Sequence, residues 1–290
     1  MKCSLCPRNC KAERSAGGGS GFCRSGALAK VARCAAHMWE EPCISGSNGS
    51  GAVFFSGCTL DCVYCQNDEI SHRGKGETVT AYRLSEEYKK LESEGAHNIN
   101  LVSASHFLPQ IIESLDIYKP KIPIVYNCGG YESVEAVKML NGYIDIFLPD
   151  FKYSDETLAV KYSKAPNYPQ VALKAISRMI NQAGRCQFNE NGILQRGVLI
   201  RHLILPNHTK NSIGVLRTVH ENFGTDVMVS LMSQYFPTER AMQYKELSRK
   251  ITKREYEKVL NVMLELGLDG FCQDLSSAKK EYVPLWDFKA

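Results

Sequence analysis

Three cysteines in one short segment are the residues best suited to chemistry in this chain. Cys58, Cys62 and Cys65 have the spacing CxxxCxxC and directly follow an apolar, strand-like run over 52–55. Three thiolates can hold three irons of a 4Fe–4S cluster and leave the fourth iron open. An electron carrier uses four cysteine ligands, so an open iron indicates that a substrate or cofactor binds there.

A zinc site is the alternative for these three cysteines. Structural zinc takes four ligands, and in the ten residues after Cys65 the sequence offers only His72, at an unusual offset. A disulfide framework is not expected either, because the chain begins without the apolar core of a signal peptide. The spacing therefore favours the iron–sulfur cluster over zinc.

The segment resembles the signature of the radical S-adenosylmethionine (SAM) enzymes. That signature is CxxxCxΦC, where Φ is aromatic, and Tyr64 stands at this position. The resemblance implies that Cys58, Cys62 and Cys65 hold a 4Fe–4S cluster whose open iron binds SAM. One electron from the reduced cluster would cleave SAM to a 5′-deoxyadenosyl radical. An electron donor such as flavodoxin or ferredoxin is implied as a partner.

Within this superfamily the chain resembles the pyruvate formate-lyase-activating enzyme and its uncharacterised homologues. The resemblance covers nearly all of residues 50–235 and is carried by five stretches: 49–58, 125–131, 147–152, 200–206 and 231–235. It implies hydrogen abstraction from a protein or peptide, such as a glycyl radical protein. The alternatives are modification of a small molecule or RNA, and a non-catalytic iron–sulfur or zinc protein.

The resemblance also implies cofactor contacts at the ends of strands. Tyr64 is expected near the adenine, with loop packing as its alternative role. Asp150 and Lys152 are expected to contact the ribose or carboxylate of SAM, or else to pair with each other. Arg201 lies in an apolar run and suits a carboxylate ligand or a structural acid. Asn127 is a further polar candidate.

One stretch departs from the superfamily pattern. Many radical SAM enzymes hold the SAM amino group with Gly-Gly-Glu after the second strand, whereas residues 101–106 here offer Ser103 and Ser105. Hydroxyl groups can accept a hydrogen bond from an ammonium group. We expect a structural role for His202. Weaker candidates for ligand contacts are His106, Gln234 and Tyr235.

A second set of cysteines lies near the N-terminus. Cys3, Cys6, Cys10 and Cys23 are spaced CxxCxxxC…C, and the glycine-rich run 17–21 gives the backbone slack to bring them together. Four thiolates suit either zinc or a complete iron–sulfur cluster.

The same N-terminal region is basic. Residues 1–33 carry seven Lys and Arg residues against Glu13 alone. This charge favours an acidic partner or nucleic acid, or it is a solvated surface beside anionic thiolates. Nucleic acid is disfavoured, because the interleaved Arg and aromatic residues of RNA-binding proteins are absent.

Strand-like and helix-like segments alternate after residue 50. The predicted strands are 52–56, 99–104, 122–127, 144–149, 197–205 and 226–232. The predicted helices are 83–94, 107–117, 132–140, 167–183, 211–222 and 252–266. A hairpin is predicted at 186–196 around Asn191-Gly192.

These units predict an α/β fold, an open six-stranded (β/α)6 partial TIM barrel with a cysteine-rich N-terminal extension. We expect a metal-binding segment over 1–50 and the barrel over 51–290. Hydrophobic residues make up 44% of the 290 residues, but no run of 18 apolar residues occurs. The sequence thus predicts a cytoplasmic protein that does not span a membrane.

Overall fold

The computed structural model describes residues 2–16, 18–275 and 286. The strands are β1 (Arg14–Ser15), β2 (Gly18–Gly19), β3 (Ala29–His37), β4 (Ser50–Phe55), β5 (Glu77–Val79), β6 (Ile99–Val102), β7 (Ile124–Cys128), β8 (Ile146–Pro149), β9 (Gln187–Phe188), β10 (Leu194–Leu203), β11 (Met228–Met232) and β12 (Gly270–Cys272). The α-helices are α1 (Pro42–Ser45), α2 (Asp68–Ser71), α3 (Ala81–Ser93), α4 (Leu108–Ile117), α5 (Val134–Met139), α6 (Glu156–Ser163), α7 (Tyr168–Ala183), α8 (Thr209–Phe223) and α9 (Lys253–Glu265). Short 3-10 helices span Ser105–Phe107, Ala241–Gln243 and Lys245–Leu247.

One open sheet organises these elements. Its order is β12-β11-β10-β8-β7-β6-β4-β3-β5, and β9 pairs with β10. The strands from β4 to β12 along this path are parallel, whereas β3 is antiparallel to both β4 and β5. Because the strands are parallel and joined by helices, their carboxyl ends meet at one edge of the sheet.

The predicted partial barrel is confirmed, with a larger sheet than expected. The six predicted parallel strands are β4, β6, β7, β8, β10 and β11, with boundaries displaced by a few residues. The sequence did not predict β12, β3 or β5. The predicted hairpin is present as the antiparallel pair β9–β10, with Gly192 in the turn.

The six predicted helices are α3, α4, α5, α7, α8 and α9, and they pack on one face of the sheet. Side-chain caps begin α3 and α9: Thr80 accepts from the backbone N–H of Arg83, and Thr252 and Glu255 form a capping box. On this face lie Tyr126 and Phe147. The sequence did not predict α6, which follows β8 directly.

The opposite face of the central strands is covered by the short helix α1. Cys43 and Ile44 pack against a cluster that includes Val125, Leu148 and Leu199. Side chains alternate between the faces of a strand, so this face is the inner side of the partial barrel. The segment before α1 therefore enters the barrel interior.

The N-terminal region joins the sheet through β3, which pairs with β4. This pairing spans the predicted boundary at residue 50. The division into segments 1–50 and 51–290 stays a prediction. Residues 1, 17, 276–285 and 287–290 of these segments lie outside the described residues. In the described part of the chain, every helix is too short or too polar to cross a bilayer.

Candidate functional site

The loop that follows β4 carries the three cysteines to the edge where the parallel strands end. Its backbone is fixed by α6, because the N–H groups of Asp61 and Val63 donate to the carbonyls of Ser163 and Tyr162 over 3.1 and 2.8 Å. The loop is also tied to the segment after β11, since Thr238 donates its hydroxyl to the carbonyl of Val63 over 2.7 Å. The cysteine loop is therefore held from two sides.

Each of the three sulfur atoms has a polar partner within this loop and its supports. The partners are the N–H of Leu60 at 3.3 Å from Cys58, the hydroxyl of Ser163 at 3.0 Å from Cys62, and the hydroxyl of Ser71 at 3.2 Å from Cys65. Hydrogen bonds to sulfur are one of the ways a protein sets the potential of an iron–sulfur cluster.

The chemistry of this donor set fits a cluster. Burial raises the pKa of Cys58, Cys62 and Cys65, and the pKa of Cys65 rises to about 11. Repulsion between the thiolates raises the pKa of Cys58 and Cys65 further. The thiolates therefore need a cationic partner, which iron supplies. Lys152 lies close enough to favour the charged form of all three.

Tyr64 is buried and its hydroxyl is engaged. It shares a hydrogen bond of 2.6 Å with the hydroxyl of Tyr153, which is 2.7 Å from the hydroxyl of Ser163. Its ring meets Tyr235 edge-on, with 6.2 Å between ring centroids. The ring thus packs between the cysteine loop and the end of β11. Contact between Tyr64 and adenine stays a prediction.

A polar network fills the barrel interior beside the loop, with Arg201 at its centre. The guanidinium donates to Asp150 over 3.0 Å, to Glu40 over 3.1 Å and to the side-chain oxygen of Asn127 over 2.5 Å. Glu40 also accepts from the amides of Asn100 and Asn127, over 3.3 and 3.2 Å. The structure therefore joins Arg201, Asp150 and Asn127 in one site, as expected at the strand ends.

Three carboxylates meet two cations in this network. Burial would raise the pKa of Asp150, but Arg201 and Lys152 hold it below its usual value. For Glu40 and Glu41, burial dominates and raises the pKa despite Arg201, 3.9 Å from Glu41. The ammonium of Lys152 donates to Asp150, so the ion pair expected as one alternative is present.

The serines after β6 lie in different surroundings. Ser103 has a positive φ of 59°, and its N–H donates to the carbonyl of Asn127 over 2.8 Å. Ser105 donates its hydroxyl to the buried carboxylate of Glu132 over 2.6 Å, and Tyr126 donates to the same carboxylate over 3.0 Å. A carboxylate is thus present near the end of β6, supplied by Glu132.

His106 and His202 are both buried and bonded to backbone carbonyls. His106 donates from Nε2 to the carbonyl of Ser56 over 2.8 Å, directly behind the cysteine loop. His202 donates from Nδ1 to the carbonyl of Phe151 over 2.7 Å. Burial lowers the pKa of each to about 4. Gln234 contacts the loop through its carbonyl, which accepts from Gln66 over 3.0 Å.

The N-terminal cysteines fold together next to this site. Cys3, Cys6 and Cys23 are buried, and Cys10 is exposed. Among the described residues, no three His, Cys, Asp or Glu side chains already converge on a point that would hold a single ion. The assignment of metals to either cysteine set therefore rests on its donor chemistry and its neighbours.

The motif, the strand order and the polar interior agree with a known family. Residues 52–219 match the family model of the radical SAM superfamily. The chain belongs to this superfamily. The sequence-based prediction of the superfamily is therefore confirmed. Membership in it implies a 4Fe–4S cluster and SAM.

One protein is similar to this chain in sequence, and solved structures are similar to it in fold. The uncharacterized protein MJ0674 of Methanocaldococcus jannaschii is 28% identical over 276 residues, which are 92% of this chain and 75% of that protein. Streptococcus suis SuiB, bound to its precursor peptide SuiA, is similar over 76% of this chain and 48% of its own, with 16% identity and a TM-score of 0.51. A radical SAM methyltransferase from Sphaerobacter thermophilus is similar over 77% of this chain and 65% of its own, with 13% identity and a TM-score of 0.52. This chain spans about half the length of SuiB.

Sequence reasoning missed several residues of the site. Glu40 and Glu41 stand in a segment that reads as an irregular loop, and only the fold shows that they face Arg201. Ser163 and Tyr153 carried no signal, because their contacts with the cysteine loop are distant in sequence. For Glu40 and Glu41, the available sign in the sequence was that two adjacent acids precede Pro42, the first residue of α1.

Proposed function

We propose that this chain cleaves SAM reductively at a cluster held by Cys58, Cys62 and Cys65, and takes a hydrogen atom from a protein or peptide. The cluster and SAM supply the electron transfer and the 5′-deoxyadenosyl radical when bound. What supports the proposal most is the position of three partnered thiols at the carboxyl ends of parallel strands, beside the Asp150–Lys152 pair. Ligand sites of barrels lie at this edge.

The chain's own residues would bind and orient the cofactor. Lys152 carries a buried positive charge between Asp150 and the thiols, where the SAM carboxylate would find a cation. Asp150 is the hydrogen-bond acceptor suited to ribose hydroxyls. Arg201 fixes Asp150 and Asn127 and acts as a positioning residue. Three further contacts are proposed: Tyr64 with the adenine, and Ser103 and Ser105 with the amino group of SAM.

The open sheet supports a macromolecular substrate. Among the described strands, β5 and β12 are the edges of the sheet and do not pair with each other. Within the described residues the sheet is therefore not closed into a full barrel. SuiB, which shares this fold, is known in a structure with a precursor peptide. A low-potential one-electron donor of the flavodoxin or ferredoxin type is the proposed partner.

The experiment that tests the reaction is anaerobic reconstitution followed by dithionite and SAM. We expect 5′-deoxyadenosine from the wild type and from Cys186→Ala, a cysteine outside both sets, and none from Cys58→Ala. A Cys58→Ala variant that keeps its full cluster and its cleavage activity would refute the assignment.

The substrate class is tested separately. Soluble proteins labelled with α-deuterated glycine, and the small-molecule and RNA fractions from the same cells, are supplied as substrates. Deuterium in 5′-deoxyadenosine with the protein fraction alone is the expected result. Labelling from a small-molecule or RNA fraction instead would contradict a protein substrate.

A further inference from the structure

The backbone of the N-terminal cysteine segment folds back on itself and places Cys3, Cys6, Cys10 and Cys23 in one region. The N–H of Cys3 donates to the carbonyl of Ala12 over 2.9 Å, so the chain doubles back between the first and third cysteines. Cys10 packs on Gly21, where a Cβ atom would lie 3.2 Å from its sulfur. Electrostatic repulsion from Cys3 and Cys23 reaches Cys6. All four are free thiols in a folded arrangement.

Cations and donors surround these thiols. The guanidinium of Arg14 lies 3.5 Å from the sulfur of Cys23, and the backbone N–H of Arg8 bonds to Cys6. Such partners compensate the charge of thiolates bound to a metal. A set of four is a complete ligand set for a closed site, with no position left for a substrate.

The N-terminal cysteine segment is docked directly on the catalytic cysteine loop. One cavity of about 410 Å³ is lined by both Cys23 and Cys58. Arg8 donates to the carbonyl of Thr59 over 2.9 Å and interacts electrostatically with both Cys6 and Cys58.

Gly57, just before Cys58, shows how close the two segments are. A Cβ atom at Gly57 would lie 2.8 Å from the carbonyl oxygen of Cys23, and Gly57 has a positive φ of 85°. The backbone of the N-terminal cysteine segment is therefore in direct contact with the loop that carries Cys58.

We propose that Cys3, Cys6, Cys10 and Cys23 bind a second iron–sulfur cluster that passes electrons, one at a time, to the cluster at Cys58, Cys62 and Cys65. The transfer part of this inference rests on the proposed function. An external low-potential donor reduces the N-terminal cluster by one electron, and that cluster is reoxidised as the catalytic cluster is reduced; no proton or bond is exchanged. Exposed Cys10 marks the side from which the donor approaches.

Metal analysis of anaerobically reconstituted full-length chain tests the site. We expect about eight irons per chain in the wild type and about four in both Cys6→Ala/Cys23→Ala and Cys58→Ala/Cys62→Ala/Cys65→Ala. The first variant should keep an EPR signal that changes with SAM, and the second a reducible signal that does not. Cys272→Ser, at an exposed cysteine outside both sets, should retain all the iron. Cys10→Ser is the milder variant if the double variant fails to fold.

The electron route is tested by the rate at which a protein donor reduces the catalytic cluster. We expect Cys6→Ala/Cys23→Ala to lose most of this rate while its affinity for SAM is unchanged. Zinc at the N-terminal site, with about four irons in the wild type, would overturn the second cluster. If Cys6→Ala/Cys23→Ala loses its N-terminal iron but the donor still reduces the catalytic cluster at the wild-type rate, the electron relay would be overturned. A chain with both clusters that makes no 5′-deoxyadenosine would refute the proposed function and leave the second cluster standing.

Discussion

The hydroxyl of Ser163, the last residue of α6, donates a hydrogen bond to the sulfur of Cys62 over 3.0 Å. The same hydroxyl is linked through Tyr153 to Tyr64, so a chain of hydroxyl groups runs from the proposed cluster ligand Cys62 to the aromatic residue of its motif. This chain is buried. It connects the loop after β4 with the loop after β8 and fixes the orientation of the Cys62 side chain.

Replacing Ser163 by alanine is expected to lower the reduction potential of the catalytic cluster. A hydrogen bond to sulfur stabilises the reduced, more negative cluster. A net hydrogen-bond free energy of about 0.5–1.5 kcal/mol corresponds to roughly 20–60 mV for a one-electron couple. Redox titration followed by EPR measures the change. Ser212→Ala, at a buried serine in α8 away from the sulfur atoms, is the control. An unchanged potential in Ser163→Ala would show that the bond does not tune the cluster.

Arg201→Ala is expected to destabilise the fold strongly. The variant leaves Glu40 and Glu41 buried without their cation and Asp150 with Lys152 alone, and removing one partner of a buried pair costs about 3–5 kcal/mol. The denaturant midpoint and the affinity for SAM are to be measured on one preparation. Arg196→Ala, at an exposed arginine on the same strand, is the control. A normal midpoint combined with a large loss of SAM affinity would instead make Arg201 a direct ligand of SAM.

Lys152→Met is expected to weaken SAM binding and to make the cluster harder to reduce. Burial alone would lower the pKa of Lys152, but Asp150 and Cys62 raise it, so the ammonium stays charged beside the thiols. Loss of a charge-assisted hydrogen bond of about 1.5–3 kcal/mol implies a decrease in SAM affinity of roughly tenfold or more. Equilibrium binding and redox titration give the two quantities. Lys164→Met removes a lysine paired with Asp61 but mostly exposed, so solvent screening should keep its effect small. Equal effects of the two variants would contradict a specific role for Lys152.

The sequence predicted what depends on local pattern. The parallel strands were found because their apolar runs are continuous, as in strands buried on both faces. The three cysteines of the CxxxCxxC motif were identified because they share one loop. The strand β12 was missed because Gly270–Cys272 is too short to show a period.

What could not be predicted depends on tertiary contacts. Glu40 meets Arg201 only because the segment before α1 enters the barrel, and these residues are far apart in the chain. The contact of the N-terminal segment with the catalytic loop is of the same kind. Local propensity has no access to such pairs, although the charge of Arg201 in an apolar strand required some anionic partner.

The stability of the protein is expected to fall as the pH decreases from about 6.5 to about 4, and His106 is one cause. Burial lowers the pKa of His106 in the folded state to about 4 from the ordinary 6.5. The unfolded chain therefore takes up the proton first, so the contribution of His106 is complete above pH 6.5 and is lost as the pH falls to about 4. A shift of this size corresponds to on the order of 3 kcal/mol. His106→Gln can still donate to the Ser56 carbonyl but does not titrate.

The measurement for this last prediction is the denaturant midpoint of wild type and variants, reconstituted identically, at a series of pH values. Acid effects on the cluster are common to all of them and cancel in the differences. His106→Gln should flatten the pH dependence in this range. His202→Gln should do the same, because the pKa of His202 is also lowered to about 4 by burial. Because the two histidines occupy separate sites, the double variant should show the sum of both effects. If neither variant changes the slope, the two histidines take up protons equally in the folded and unfolded states, which would contradict a pKa lowered by burial.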